Sequence, residues 1–499
     1  MKRMVHLAGV VALSLILALR APAQHRVFTP LAPDRVEAQV EVLGDLADWC
    51  RSRHIYAQEQ AVHTFLLELE PDRKASRRRL GYFRVSGQWK RADSWRPRRD
   101  HRAEHLPEAR VRIREALKPL RVPFLQDLAQ HPEGLARESA QRTIRALLGL
   151  EPEDPVLRAI VGETRYEGEW VLVETARSVR RNAELSTAIA KAREHAPAAV
   201  TQSVPADLEG WPLAWTTSVR TLGLEVVGTV PAEECASVAV ELQTLARTFE
   251  FAFGVKGKHR DELRVLLLEG YGQRDLALEA LALPPAVRMH LGSAAGGWLG
   301  SGRLLAEWDG DPERRRDGAV RQILGTMLMD EFGIDGGFAW AWEGFGLYLI
   351  HLQLGTRRTW FYQGSGYQPV ADAISWTTAQ DPASDWHALS RQLLTAENGP
   401  SVLYLLGRPL NSMRAQDLVL SYTLAAYLLE GWPDHTARLL RAIGSGEHPA
   451  RAFERELGFP AVNLNGRMVR WLEESSNLAR GRRADGEARK EAVDAPAGQ

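Results

Sequence analysis

Cysteine is almost absent: Cys50 and Cys235 are the only two in 499 residues. Two thiols so far apart exclude a disulfide-stapled fold and leave either one bridge or two free buried thiols. Without several supporting histidines they cannot form a structural zinc site. A net charge of either sign is also missing, with 63 Lys and Arg against 63 Asp and Glu. After residue 19 no segment is apolar enough to span a bilayer. The sequence contains no G-x-S-x-G elbow, no P-loop and no G-x-G-x-x-G opening a helix after a strand. That argues against α/β-hydrolase, P-loop and dinucleotide-binding chemistry.

What is present begins with an export signal. Met1-Lys2-Arg3 is basic, Met4 to Leu19 is mostly apolar, and Ala21-Pro22-Ala23 is an A-x-A cleavage site. Cleavage would remove Lys2, Arg3 and Arg20, moving the formal net charge from 0 to −3. The expectation is a periplasmic or extracellular protein with no stable membrane span once residues 1–23 are removed.

An internal repeat follows, at an offset of 81 residues. Leu69-Glu70-Pro71 returns as Leu150-Glu151-Pro152, Gly81 as Gly162, Gly87 as Gly168 and Trp89 as Trp170. Arg77 and Arg84 match Arg158 and Arg165 in the same register. Each copy (around 45–90 and 126–171) reads as a helix, an E-P break, a second helix and a β-hairpin turning at Gly87 or Gly168. This makes residues 24–200 a helical module. Arg73 to Arg121 holds 17 Lys or Arg against 5 Asp or Glu, a net of +12. Such a face suits an anionic envelope polymer better than nucleic acid, because stacking aromatics are sparse. A solvated face without a ligand is the simpler reading of such a charge run. His101 to His105 reads HRAEH, the inverted zinc pattern, but it sits among charges between Pro97 and Pro107 rather than on an apolar-backed helix.

From about residue 205 the pattern changes. Trp215 to Thr229 alternates as a strand, Pro231 to Phe253 is an amphipathic helix, and Leu263 to Glu269 is a buried strand. Gly296 to Trp308 reads as two strands around a glycine-rich turn. Asp317 to Glu331 and Trp340 to Leu354 read as helices, and 373–476 as a mostly helical subdomain. Residues 477–499 are polar and charged, and are expected to be disordered. The fold class expected is α+β, mainly α.

This order resembles the gluzincin-type (peptidase MA-like) zinc peptidases, in particular their exported bacterial relatives, over about Trp215 to Leu472. The segments that carry the resemblance are GGWLGSGRLLAEW, AVRQILGTMLMDEFG, WAWEGFGLYL and SYTLAAYLLEGW. It implies a thermolysin-like α/β domain over 205–372 followed by a helical subdomain. It also implies an HExxH helix supplying two zinc ligands and a general base, with a third ligand from the glutamate of W-x-x-E-G. Here Arg321, Gln322 and Gly325 stand where His, Glu and His belong. In the alternative register Gln322, Ile323 and Thr326 do. Only Glu343 remains, so no cofactor is expected. The resemblance implies a peptidase-like fold without its catalytic site, acting by binding or scaffolding. An active metallopeptidase with zinc held by rebuilt ligands (Glu343 and Glu331 with His290 or His351, and Asp330 nearby) is the alternative. The retained cleft would take an extended peptide along an edge strand at Arg303 to Trp308. Trp298, Trp308, Trp340 and Trp342 would line it or fill the void, and Tyr422 would face it.

Overall fold

The computed structural model describes residues 33–100, 102–130, 138–257, 260–292, 294–299, 302–358, 378–379, 381 and 383–494. The export signal and His101 lie outside them. The protein is α+β and mainly helical, as expected, and it divides into two compact units, Met1–Thr164 and Arg165–Gln499.

The first unit contains α1 (Pro33–Ser52), α2 (Tyr56–Leu69), α3 (Lys74–Arg79), β1 (Tyr82–Val85), β2 (Gln88–Arg91), α4 (Leu106–Gln130), α5 (Glu138–Leu150) and α6 (Pro155–Ile160). Its core joins Leu43, Ile55, Phe65 and Leu66 with Ile113, Leu117, Ile144 and Leu147. The division falls inside the second hairpin, β3 (Glu163–Tyr166) with β4 (Glu169–Leu172).

The repeat is structural. Helices α2 and α5 both stop at the leucine of Leu-Glu-Pro, because the residue before proline is driven out of the helical region. Arg77 Nε donates to the Pro71 carbonyl at 2.9 Å, and Arg158 Nε to the Pro152 carbonyl at 2.7 Å. Arg84 lies 5.3 Å over Trp89, and Arg165 lies 5.5 Å over Trp170. Both turns, Ser86-Gly87 and Glu167-Gly168, have two consecutive positive φ angles, as a two-residue type I′ hairpin requires. In the basic span the arginines fold back on local aromatics: Arg77 over Tyr82 and Arg91 over Trp95.

The second unit continues with α7 (Val173–Glu194), β5 (Val200–Gln202), β6 (Thr217–Thr221), β7 (Leu224–Gly228), α8 (Ala232–Phe253), β8 (Leu263–Leu267), α9 (Tyr271–Ala280), α10 (Pro285–Gly292), β9 (Gly296–Leu299), β10 (Leu304–Glu307), α11 (Pro312–Phe332) and α12 (Ala339–Leu354). After these come α13 (Trp386–Thr395), α14 (Val402–Leu406), α15 (Ala415–Ala426), a π-helical segment (Tyr427–Gly431), α16 (Pro433–Gly444), α17 (Pro449–Leu457) and α18 (Leu464–Asp494). The sheet order is β5-β6-β7-β8-β10-β9. Strands β7, β8 and β10 run parallel, and the flanking pairs are antiparallel. Alternation along each strand splits the side chains between two faces. Val226, Val265 and Leu305 join the larger core with α8, α11 and α12. Val227, Leu266 and Ala306 join a smaller core with α9 and α10.

Four expectations change. The units divide at 164/165 rather than near 200, because α7 buries Leu185 in the second unit's core. The single strand expected at Trp215 to Thr229 is a hairpin, turning at Gly223 with φ 66°. The segment Arg303 to Trp308 is not an edge: β10 is hydrogen-bonded on both sides, to β8 and to β9, and the edge is β9. The polar tail after Asn477 is helical to Asp494, in keeping with its Ala, Arg, Glu and Lys, all strong helix formers. No helix among the described residues is long and apolar enough to cross a membrane.

Candidate functional site

Helix α11 is opened by Asp311, whose side chain accepts from the Glu313 N–H, with Pro312 in the first turn. On one face, at four-residue spacing, it carries Asp317, Arg321 and Gly325. This face meets α12. The Arg321 guanidinium is ion-paired with the Glu343 carboxylate; Arg321 is 7% exposed and Glu343 is 0% exposed. Arg321 Nη1 also donates to the Arg358 carbonyl at 2.7 Å. The Trp342 ring lies directly on Gly325, where a Cβ would come within 2.4 Å of it. Gly346 leaves room for the guanidinium, 3.6 Å from where its own Cβ would stand.

This geometry selects between the two registers. Arg321 and Gly325 face Glu343 and Trp342, with Gln322 next to Arg321 in the chain. In the other register, Ile323 is buried in the core and Thr326 Oγ1 donates to the Ile323 carbonyl at 2.7 Å. The donor set does not fit zinc. A guanidinium has no free lone pair, carries a fixed positive charge and occupies the carboxylate that would be the third ligand. The rebuilt ligand set is also dispersed. Asp330 is held by Arg260 at 2.7 Å, Glu331 is paired with Arg441, and His351 Nδ1 lies 2.7 Å from the Tyr422 hydroxyl. His290 is on α10, its side chain outside the described residues. Among the described residues no three His, Cys, Asp or Glu converge as metal ligands.

The aromatics do not form one groove. Trp308 is fully buried in the smaller core, its Nε1 donating to the Ala294 carbonyl at 2.6 Å. Trp340 is fully buried in the larger core, against Phe345 and Phe453. Trp298 is partly buried beneath the Arg260 guanidinium. Tyr422 is enclosed by Tyr348, Trp386 and His387. Arg303 is exposed and pairs with Glu262 at 3.1 Å. The second half of the inverted zinc motif, Ala103–His105, is a short 3-10 turn with no buried residue. Cys50 and Cys235 are free thiols, and burial pushes both up to about 12.

Comparisons with family models, curated proteins and solved structures find no match for this chain.

Two groups of buried acids escaped the sequence reading. Glu307 follows Leu305 on β10 and so faces α11. It is fully buried, neither of its oxygens has a hydrogen-bond partner, and it packs against Gly296. Burial, then the nearby Asp317 and Asp309, raises its pKa well above the usual carboxylate range. Burial also raises Asp317, against the hydrogen bond from Thr356 Oγ1 and the nearby Arg321, Arg358 and Arg316. Glu430 sits on the π-helical segment and accepts from Tyr348 Oη at 2.5 Å and Asn182 Nδ2 at 2.8 Å. Burial raises it to about 7, against those two hydrogen bonds. The LLAEW run hides Glu307, because one acid in a strand reads as an outward-facing position. Only the packing shows that both faces of β10 are covered, with Leu305 in the larger core and Ala306 in the smaller.

Proposed function

We propose that the protein is an exported, non-catalytic member of the peptidase-like class, working by binding or scaffolding rather than by hydrolysis. On this reading the second unit is a thermolysin-like domain, and the first is an adaptor module. The element order supports it: a mixed sheet ending in an antiparallel edge strand, then two helices that face each other at the expected metal position. The observation that carries it is the Arg321–Glu343 pair, which puts a fixed cation where the first metal-binding histidine would stand. The partner this reading implies is an extended peptide adding to the free side of β9, rather than to Arg303 to Trp308.

The test is metal content. The purified protein and a Glu343→Ala variant are loaded with zinc, desalted and analysed. Both should retain zinc only at background level. Near-stoichiometric zinc in the wild type, lost in the variant, would establish a metallopeptidase-type site and overturn this reading.

A further inference from the structure

Away from the α11–α12 face, the second unit has an open cleft of about 660 Å³. Helix α7 forms one wall, the C-terminal end of α8 a second and the start of α16 a third. The volume falls within the range of small-molecule sites. Its charge is unusual. Arg177, Arg180 and Arg181 enter from one face of α7, at spacings of three and four residues. Arg438 and Arg441 enter from α16 at the same kind of spacing. Like charges so placed repel one another unless something negative lies between them.

Three of the five arginines are occupied. Arg181 donates to the Phe251 carbonyl at 2.5 Å and pairs with Glu184 at 3.3 Å. Arg438 pairs with Glu456 at 2.9 Å, and Arg441 pairs with Glu331. Arg177 and Arg180 have no acid or acceptor among the described residues. Against five cations the lining has three acids, Glu184, Asp434 and Glu430. Glu184 is committed to Arg181, and Glu430 is buried on its own two donors. The π-helical segment bearing Glu430 leads directly into α16, and π segments inside helices are frequent at ligand sites. Phe251, Phe253, Val255 and Ala437 give the cleft an apolar side.

We propose that this cleft binds a small organic phosphate: a phosphate monoester dianion held by Arg177 and Arg180, with an apolar or aromatic body against Phe251 and Val255. Two unpaired guanidinium groups match the two charges of a phosphate monoester, whereas a carboxylate would neutralise only one. The site is separate from the α11–α12 face, so it stands or falls independently of the metal test.

Isothermal titration calorimetry on the full chain tests it, with phenyl phosphate, inorganic phosphate and benzoate as probes. Phenyl phosphate should bind with saturation, at least tenfold more tightly than inorganic phosphate or benzoate. In an Arg177→Gln/Arg180→Gln variant its affinity should fall at least tenfold. Arg180 is exposed, Arg177 is only partly buried, and neither is bonded among the described residues, so the variant's melting temperature should be unchanged, which separates lost binding from lost folding. The proposal is overturned if phenyl phosphate does not bind at millimolar concentration, if benzoate binds as well, or if the double variant binds equally.

Discussion

A carboxylate as deeply buried as Glu343 has to be balanced, and Arg321 is what balances it. An ion pair in the interior contributes little net stability, because desolvation offsets most of the attraction, but breaking one side exposes the full cost of the other. Arg321→Met should therefore destabilise the second unit by about 3–5 kcal/mol. Adding Glu343→Leu in the same chain should recover most of that loss. Chemical denaturation of the two variants checks the pair, and a double variant as unstable as the single would show that the guanidinium matters for something other than Glu343. The glutamate of W-x-x-E-G stood out in the sequence as the one position of the expected site that is kept. That its partner is Arg321 follows from the packing of α11 on α12, which brings the Arg321 guanidinium to the Glu343 carboxylate.

At the scale of elements, the Glu-Gly pair is half chemistry and half packing. Gly344 lets α12 approach α15 closely: a Cβ there would come within 2.3 Å of the Ser421 carbonyl oxygen. Backbone cannot step aside as a side chain can. Gly344→Ala should therefore cost about 1–3 kcal/mol or more and lower the melting temperature, with no change in the Arg321–Glu343 pair. A melting temperature equal to the wild type would mean that the two helices have room to separate. The hairpins of the repeat were readable because their turns are local: two residues with positive φ specify them. The β6–β7 hairpin was missed because Leu222-Gly223 interrupts an apolar, β-branched run without breaking its alternation. The position of β10 was missed for a different reason: strand order is a long-range property, and β8 reaches β10 across the whole of α9 and α10.

At the scale of the molecule, each unit has a hydrophobic core of its own and one buried thiol in it: Cys50 in the first and Cys235 in the second. Thiols pushed up by burial are unreactive until their surroundings open. Single-cysteine variants, Cys50→Ala and Cys235→Ala, should therefore report separately on the two units. Thiol labelling along a urea series should give two distinct midpoints, one per remaining cysteine. A shared midpoint in both variants would show that the chain unfolds as a single cooperative unit.

The sequence by itself determined the mainly helical α+β class, the repeat with its two hairpins and the absence of histidine from α11, because each depends on residue type and short-range spacing. Tertiary structure alone decided which register faces Glu343, which strand is the edge, that Glu307 is sealed between two layers, and that five arginines from α7 and α16 share one cleft. Those facts rest on contacts between residues far apart in the chain. No local pattern records them, because burial and charge neighbours are set only when the elements pack.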